Sequence, residues 1–466
     1  MAKRVAPHVR TFDVAIIGAG VVGAAIAREL ARFDLSILLI DAKSDVGAGT
    51  SKANTAILHT GFDTVPGSLE SRLVSRGYFL LRDYAREVGI SYETCGALLV
   101  AWSAEEFANL SKIQEKAIAN GYLESYLVDV ADLYAKEPHL GPGALGALAV
   151  PGEWIIDPWS TTLAYATQAK AAGAVLQLST RVERIAQSSH LHTLHTSQGE
   201  FEARYLVNAA GLYSDLIDRE FGFEDFVVTP RRGELMVFDK LSRSLVSHIL
   251  LPVPSSMGKG VLVSPTVFGN VMLGPTAENL SDKSATESSI TGLAFLQEKG
   301  RKIMPSLLDE EITAIYVGLR AATEHSDFQI SLHAPQRYVT VGGIRSTGLT
   351  ASMAIAEHVR DLLTQAGLDL GVHDALPAIH IPRLGEATLR PYQNEPLIAA
   401  NPSYGEIICH CERVTRGEIV ATLASPIPPQ DQAGLGRRTR ATLGRCQGFY
   451  CHAEVRALLE SKSGVS

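Results

Sequence analysis

One stretch, Phe12 to Asp41, constrains this chain more than any other. Phe12-Asp13-Val14-Ala15-Ile16-Ile17 is short and almost wholly apolar, and it reads as a buried strand. It ends in Gly18-Ala19-Gly20-Val21-Val22-Gly23, a G-x-G-x-x-G. Apolar residues at helical spacing follow (Val22, Ala25, Ile26, Leu30), then a second apolar run, Ser36 to Ile40, that closes on Asp41. Strand, glycine turn, helix, strand and terminal acid in this order predict a dinucleotide-binding βαβ unit. Gly18 allows the tight turn, Gly20 lets the backbone approach a pyrophosphate, and Gly23 lets helix and strand pack closely. Val22 sits in the first helical turn, whose free N–H groups and positive dipole end suit phosphate. Asp41 is placed to accept hydrogen bonds from a ribose 2′-OH. The motif alone admits either FAD or a nicotinamide dinucleotide.

The 466 residues suggest two or three domains. A net charge of −8 argues against nucleic acid as a partner. No apolar run is long enough to span a bilayer. The N-terminal MAKRVAPHVRTF is a basic arm without an apolar core, so it does not read as a secretory signal. The expected location is cytoplasmic, with peripheral attachment at the inner membrane through a partner left open. Of five cysteines, Cys95 stands alone in the strand-like ETCGALLVAW and reads as core. Cys409, Cys411, Cys446 and Cys451 cluster near the C-terminus, which in a reducing compartment suggests metal rather than disulfides.

Along the chain, Leu69 to Val88 reads as a helix. A second G-x-G-x-x-G at Gly141-Pro142-Gly143-Ala144-Leu145-Gly146 is rejected as a nucleotide site. No apolar strand precedes it, Pro142 sits in the turn, and ALAVPGEW after it reads as a strand. That leaves one dinucleotide site. Ser160 to Ala172 reads as a helix ended by Gly173, and Val175 to Leu178 as a strand that Thr180-Arg181-Val182 continues. His190, His192 and His195 fall in a polar hairpin read as solvated rather than metal-binding. The strand Tyr205-Leu206-Val207-Asn208 runs into Ala209-Ala210-Gly211. From Pro230 onward, alternating strands (LMVF, GVLVSPTV, NVMLGPTA) suggest a mostly antiparallel sheet. Tyr338 to Gly343 is a strand ending in a glycine turn, followed by a helix to about Leu363. The fold class expected is α/β and α+β: a discontinuous Rossmann-like nucleotide domain (11–90, 150–215, 338–366) and a mostly antiparallel substrate domain (91–149, 216–337). An irregular linker (367–404) and a small helical C-terminal module (405–461) complete it.

Four separated motifs resemble the D-amino-acid-oxidase-like flavoprotein superfamily, in the order that family has them. After the second strand, Thr50, Ser51, Asn54, His59 and Gly61 match its T-S-x-x-N-S and H-x-G patterns, with Thr55 replacing the final Ser. Val182, the Ala210-Gly211 turn, and the Gly343 to Thr350 segment with Gly348, Leu349 and Thr350 complete the match. The resemblance implies FAD as the cofactor. In the glycerol-3-phosphate oxidase and dehydrogenase branch, the His of H-x-G faces the flavin, so His59 is the implied base; its ordinary pKa suits that task. Lys259, Arg320 and Arg345 are the candidate holders of substrate charge, a guanidinium fork being well shaped for an anion.

The C-terminal C-x-C and C-x₄-C pairs offer four soft thiolates, with helices expected at Thr415 to Leu423 and after Cys451. Four thiolates suit zinc or an iron–sulfur cluster, and C-x-C is unusual for zinc. The run Arg437, Arg438, Thr439, Arg440, Gly444, Cys446, Gln447, Gly448 and Cys451 resembles the bacterioferritin-associated-ferredoxin-like [2Fe–2S] domain. That resemblance implies a [2Fe–2S] cluster on the four cysteines, with the arginines offsetting its negative charge. A flavin takes two electrons as a hydride, and the cluster accepts one at a time. The implied function is an FAD-dependent dehydrogenase of a small anionic substrate, glycerol-3-phosphate first. Its electrons would leave through the cluster to a partner subunit or a quinone. HTGFDTVPGSLESRL also resembles L-2-hydroxyglutarate dehydrogenases. Amino-acid or opine dehydrogenases of proline type, and an electron-relay subunit without its own substrate, are the further alternatives.

Overall fold

The computed structural model describes residues 10–188, 191–254 and 260–462. An eight-stranded sheet forms the first layer. Its parallel centre runs Val175–Gln177, Ile37–Ile40, Arg10–Ile17, Gly199–Asn208 and Tyr338–Gly342. Ile37–Ile40 and Tyr338–Gly342 are buried at every position, covered on both faces, which is why they read as continuous hydrophobic segments rather than alternating ones. Ile17 is level with Ile40 on one side and with Asn208 on the other, and Asn208 with Thr340. The carboxyl ends of the strands therefore open on one edge, where ligands bind in sheets of this kind.

Helix Val21–Leu30 packs between Pro158–Ala171 and Gly348–Gln365, and Leu69–Val88 packs on the last of these. The Leu69–Val88 helix has the predicted limits because its caps are in the sequence. The Ser68 side chain accepts from the Ser71 N–H at 3.0 Å, and Gly89 takes the left-handed conformation after Val88. Gly77 lets it cross Gly348–Gln365 at close range: a Cβ there would lie 2.3 Å from the Thr350 carbonyl oxygen.

A nine-stranded, mostly antiparallel sheet forms the second body, with Thr229–Phe238 and Ile312–Ala322 as its longest pair. The rejected glycine motif lies at its far side, where Gly141 packs on the Lys302 carbonyl. Cys95 packs in this body's core, and burial pushes its thiol up to about 12. A three-stranded ribbon (Ile57–Leu58, Trp154–Ile156, Tyr92–Glu93) joins the two bodies.

Four local expectations differ from the structure. Thr180 to Val182 does not extend the strand before it. Ser179 sits at φ +53, and a new strand, Val182–Gln187, begins after that turn. His192 is not solvated; it is buried edge-on against Phe221, whereas His195 pairs with Glu200 at 2.7 Å. His190 lies outside the described residues. Gln329–His333, expected in the substrate body, pairs with Tyr338–Gly342 through a tight turn and belongs to the first sheet. A helix not expected at all, Gln432–Thr439, lies in the C-terminal module. The 367–404 segment has only short helical turns and runs past all three bodies. Asp374 donates to the Arg32 carbonyl, Glu386 donates to that of Val267, and Arg390 reaches Glu418. Among the described residues, no helix is long and apolar enough to cross a membrane.

Candidate active site

The open edge of the first sheet faces the Thr229–Phe238/Ile312–Ala322 pair across an elongated cleft of ≈ 1910 Å³, open solvent at its mouth included. Gly18, Gly20, Val22 and Asp41 line it, together with Val182, Ala210 and Gly211. The glycines are needed where they stand. Gly18 has φ +108, and a Cβ on it would lie 2.3 Å from the Ala209 oxygen; one on Gly23 would lie 1.8 Å from the Gly18 oxygen. Gly23 thus packs behind the turn rather than lining it. Both Asp41 oxygens accept backbone N–H groups, Oδ2 from Ala19 at 2.7 Å and Oδ1 from Lys43 at 2.8 Å. Burial nevertheless holds its carboxyl above the ordinary range.

Thr50, Ser51, Asn54 and Thr55 also line the cleft. Ser51 Oγ accepts from the Val21 N–H at 3.0 Å, Thr50 donates to the Leu319 carbonyl at 2.9 Å, and Tyr316 donates to that of Asn54 at 2.9 Å. The loop is therefore bolted to both bodies. It fits because Gly318 is bare: a Cβ there would lie 2.5 Å from the Ala53 oxygen. Gly318→Ala is expected to displace this loop at a cost of about 1–3 kcal/mol. Roughly tenfold or greater loss of flavin affinity should follow, read as flavin retained through gel filtration.

In the sheet pair, Gly233 faces Gly318 and Arg231 faces Arg320. Gly233 leaves space for the Arg320 guanidinium, 3.2 Å from where its Cβ would be. Arg320 Nη2 donates to the Thr276 carbonyl at 2.6 Å and has no carboxylate partner among the described residues. Desolvation, and then the neighbouring Arg231, push its pKa down to about 10, so it is still charged at neutral pH. Arg345 also lines the cleft, but its Nη2 is engaged by Glu70 at 3.0 Å and the Ser326 carbonyl at 2.6 Å. Lys259 lies outside the described residues.

Gly348 and Leu349, at the start of their helix, also line the cleft, with Gly348 close to Val22; Gly343 and Thr350 do not line it. His59 is not on the cleft wall itself. Its N–H donates to Thr350 Oγ1 at 2.9 Å, one residue beyond Leu349, and its Nδ1 lies 2.8 Å from Glu153 Oε2. Sequence reasoning missed Glu153 and Glu70, the partners of His59 and Arg345. Each is far from its partner along the chain, and neither belongs to a motif.

The four C-terminal cysteines form two pairs: Cys411 within hydrogen-bonding reach of Cys446, and Cys451 of Cys409. Two thiols for each of two metals is the donor set of a two-iron cluster. No three His, Cys, Asp or Glu side chains converge as ligands of one ion among the described residues. The N–H of Tyr450, then the Cys411 thiol and the N–H groups of Gly448 and Phe449, hold the Cys446 thiol below its ordinary pKa, while burial pushes Cys451 up to about 12. The arginine run is spent differently from expectation. Arg437 and Arg438 both pair with buried Asp45, at 2.6 Å each, in the loop after Asp41. Arg440 pairs with Glu412 and covers the Phe268 ring at 4.5 Å, and Arg445 pairs with Asp239. These guanidiniums dock the module onto the two larger bodies.

Residues 13–362 match the FAD dependent oxidoreductase family, and 407–461 match the BFD-like [2Fe-2S] binding domain. The chain is 35% identical to a glycerol 3-phosphate dehydrogenase of Caloramator mitchellensis, over 97% of this chain and 95% of that one. It is 32% identical to the mitochondrial L-2-hydroxyglutarate dehydrogenase of Homo sapiens, over 57% of this chain and 61% of that one. Among solved structures, the L-alpha-glycerophosphate oxidase of Mycoplasma pneumoniae with FAD bound superposes with a TM-score of 0.75. It is 28% identical, covering 80% of this chain and 99% of that one. The glycine cradle fits a dinucleotide and the cysteine pairs fit two irons, as the comparisons require: this chain belongs to the FAD-dependent oxidoreductase family and carries a [2Fe–2S] domain at its C-terminal end.

Proposed function

We propose that this enzyme is a glycerol-3-phosphate dehydrogenase that passes electrons from FAD through its [2Fe–2S] cluster to a partner subunit or a quinone. The observation that carries the substrate reading is Arg320, a charged guanidinium set into the cleft wall with no carboxylate partner among the described residues. Arg231, in register beside it, adds a second positive charge and favours a doubly charged anion. The full-length similarity to a glycerol 3-phosphate dehydrogenase supports the same reading.

Bound FAD would supply a two-electron acceptor. Gly18, Gly20, Val22, Gly23 and Asp41 would hold its ADP end, with Val182, Ala210 and Gly211 against the nucleotide. Thr50, Ser51, Asn54, Thr55, Gly343, Gly348, Leu349 and Thr350 would enclose the rest. N–H groups at the Gly348 helix start would stabilise negative charge on the reduced ring. Arg320 binds the phosphate, assisted by Lys259. Arg345 contributes less, because Glu70 already balances its charge. His59 takes the hydroxyl proton as the carbon is oxidised. Cys409, Cys411, Cys446 and Cys451 ligate the cluster. The proposed setting is cytoplasmic, with the cluster face free to meet its acceptor.

The test is turnover of the purified enzyme with an artificial one-electron acceptor and three substrates: glycerol-3-phosphate, L-2-hydroxyglutarate and proline. The expected result is turnover with glycerol-3-phosphate alone. Preference for either of the others would overturn the substrate reading, and no turnover with any would favour a relay subunit.

A further inference from the structure

The proton-accepting role given to His59 requires one ring nitrogen to be free of hydrogen, and the structure contains a device that selects it. Glu153 is fully buried, just after the turn at Pro151-Gly152. Its Oε1 accepts two hydrogen bonds from Thr60, from the backbone N–H at 2.7 Å and the hydroxyl at 2.8 Å. Its Oε2 faces His59 Nδ1 at 2.8 Å. An ionised carboxylate only accepts, so Nδ1 must carry the hydrogen and Nε2 must present its lone pair. Among the described residues, Nε2 has no hydrogen-bond partner.

The surrounding groups do not compete for this arrangement. The Tyr78 and Tyr122 phenols are the other titratable groups acting with Glu153, and burial pushes both up to about 12, so both stay neutral. Tyr122 OH accepts from the Gly152 N–H at 2.7 Å, and Thr350 Oγ1 accepts the His59 backbone N–H. Glu124, Arg82 and Arg86 act on Tyr78. No Lys or Arg pairs with Glu153 among the described residues.

We propose that Glu153 is a positioning residue that holds His59 in the Nδ1–H tautomer, so that Nε2 is the proton acceptor in substrate oxidation. This inference rests on the reading of His59 as the base. It makes an unusual prediction about two variants. In Glu153→Gln, the two Thr60 donors demand an acceptor, so the amide oxygen takes the Oε1 place and the amide NH₂ faces His59. Nδ1 must then accept, and the hydrogen moves to Nε2, where it blocks the base. Glu153→Ala imposes neither tautomer. The isosteric change is therefore more damaging than truncation.

The experiment measures kcat for both variants of the FAD-loaded enzyme, together with flavin content and nitrogen-15 NMR of the histidine rings. The expected result is a kcat loss of about 10²–10⁴-fold in Glu153→Gln, a smaller loss in Glu153→Ala, and a shift of the His59 hydrogen from Nδ1 to Nε2 in the Gln variant. A merely structural role gives the reverse order. Wild-type kcat in Glu153→Gln, or an unchanged tautomer, overturns the proposal. If Glu153→Ala does not fold, the tautomer in the wild type and the Gln variant decides. His59→Asn separates the two layers of the argument. If it retains turnover, the base reading itself fails. If it abolishes turnover while Glu153→Gln does not, only the tautomer role fails.

Discussion

Replacing Arg320 by methionine is expected to lower kcat/KM for glycerol-3-phosphate by about 10²–10³-fold, mainly through KM. Losing one partner of a hydrogen-bonded charge pair costs about 2–5 kcal/mol, and each 1.4 kcal/mol is tenfold. The phosphate is remote from the reacting carbon and is held equally before and during the reaction, so the loss falls on binding rather than on kcat. Folding should respond in the opposite direction. Without substrate, Arg320 is a desolvated cation beside Arg231 with no carboxylate partner among the described residues. Methionine fills the same space without that charge, so the thermal midpoint should hold or rise while KM increases. Steady-state kinetics and thermal unfolding on one preparation test both halves. A variant with unchanged KM would remove Arg320 from the substrate site.

Asp45→Ala is expected to loosen the docking of the cluster module while leaving the flavin in place. Asp45 is 1% exposed and receives Arg438 at both oxygens and Arg437 at one. Removing one member of a buried ion pair costs about 3–5 kcal/mol, because the remaining charges stay buried and unpaired. Here the loss is capped by what docking is worth, since undocking returns both guanidiniums to water. The ties that remain are Arg445 to Asp239, Lys240 to Glu412, Arg440 to Asn270 and Gln447 to the Thr313 carbonyl, with single hydrogen bonds from Ser44 to Asp431 and from Lys170 to the Pro426 carbonyl. The expected readouts are rapid protease cleavage near residues 367–404 and slower reduction of the cluster after flavin reduction. The pH dependence follows from the same pair. Burial alone would raise the Asp45 carboxyl, but Arg438 and then Arg437 outweigh it and hold its pKa below the ordinary value. A depressed carboxyl stabilises the docked state above its unfolded pKa, and the contribution is lost as pH falls through the folded one. Docking should therefore be constant around neutrality and weaken only in acid.

What could be read from the sequence was whatever is encoded locally. The glycines at 18 and 23 announce their turn because a Cβ at either position would overlap a backbone oxygen. The Leu69–Val88 helix announces its limits through Ser68 and Gly89. The Gln432–Thr439 helix was invisible because QAGLGRRT has two glycines and little apolar periodicity. It is held by the Asp431 cap and by Asp45 in another domain. The carboxylates that pair with the arginine run, Asp45 for Arg437 and Arg438 and Glu412 for Arg440, lie 28 or more positions away and cannot be read from a short window. The pairing of His59 with Glu153, 94 positions away, depends on a ribbon joining residues 57–58 to 154–155 that no short window reveals. Arg345 looked like a free cation in sequence because Glu70 lies 275 positions earlier.

The central claim is that substrate electrons enter at FAD and leave through the cluster of the same chain. Anaerobic addition of glycerol-3-phosphate to the purified holoenzyme tests it most directly, with the flavin absorbance and the electron paramagnetic resonance of the cluster followed together. The account predicts flavin bleaching followed by the signal of a reduced [2Fe–2S] cluster. A flavin that glycerol-3-phosphate leaves oxidised, or one that bleaches while the cluster never receives an electron, would contradict it.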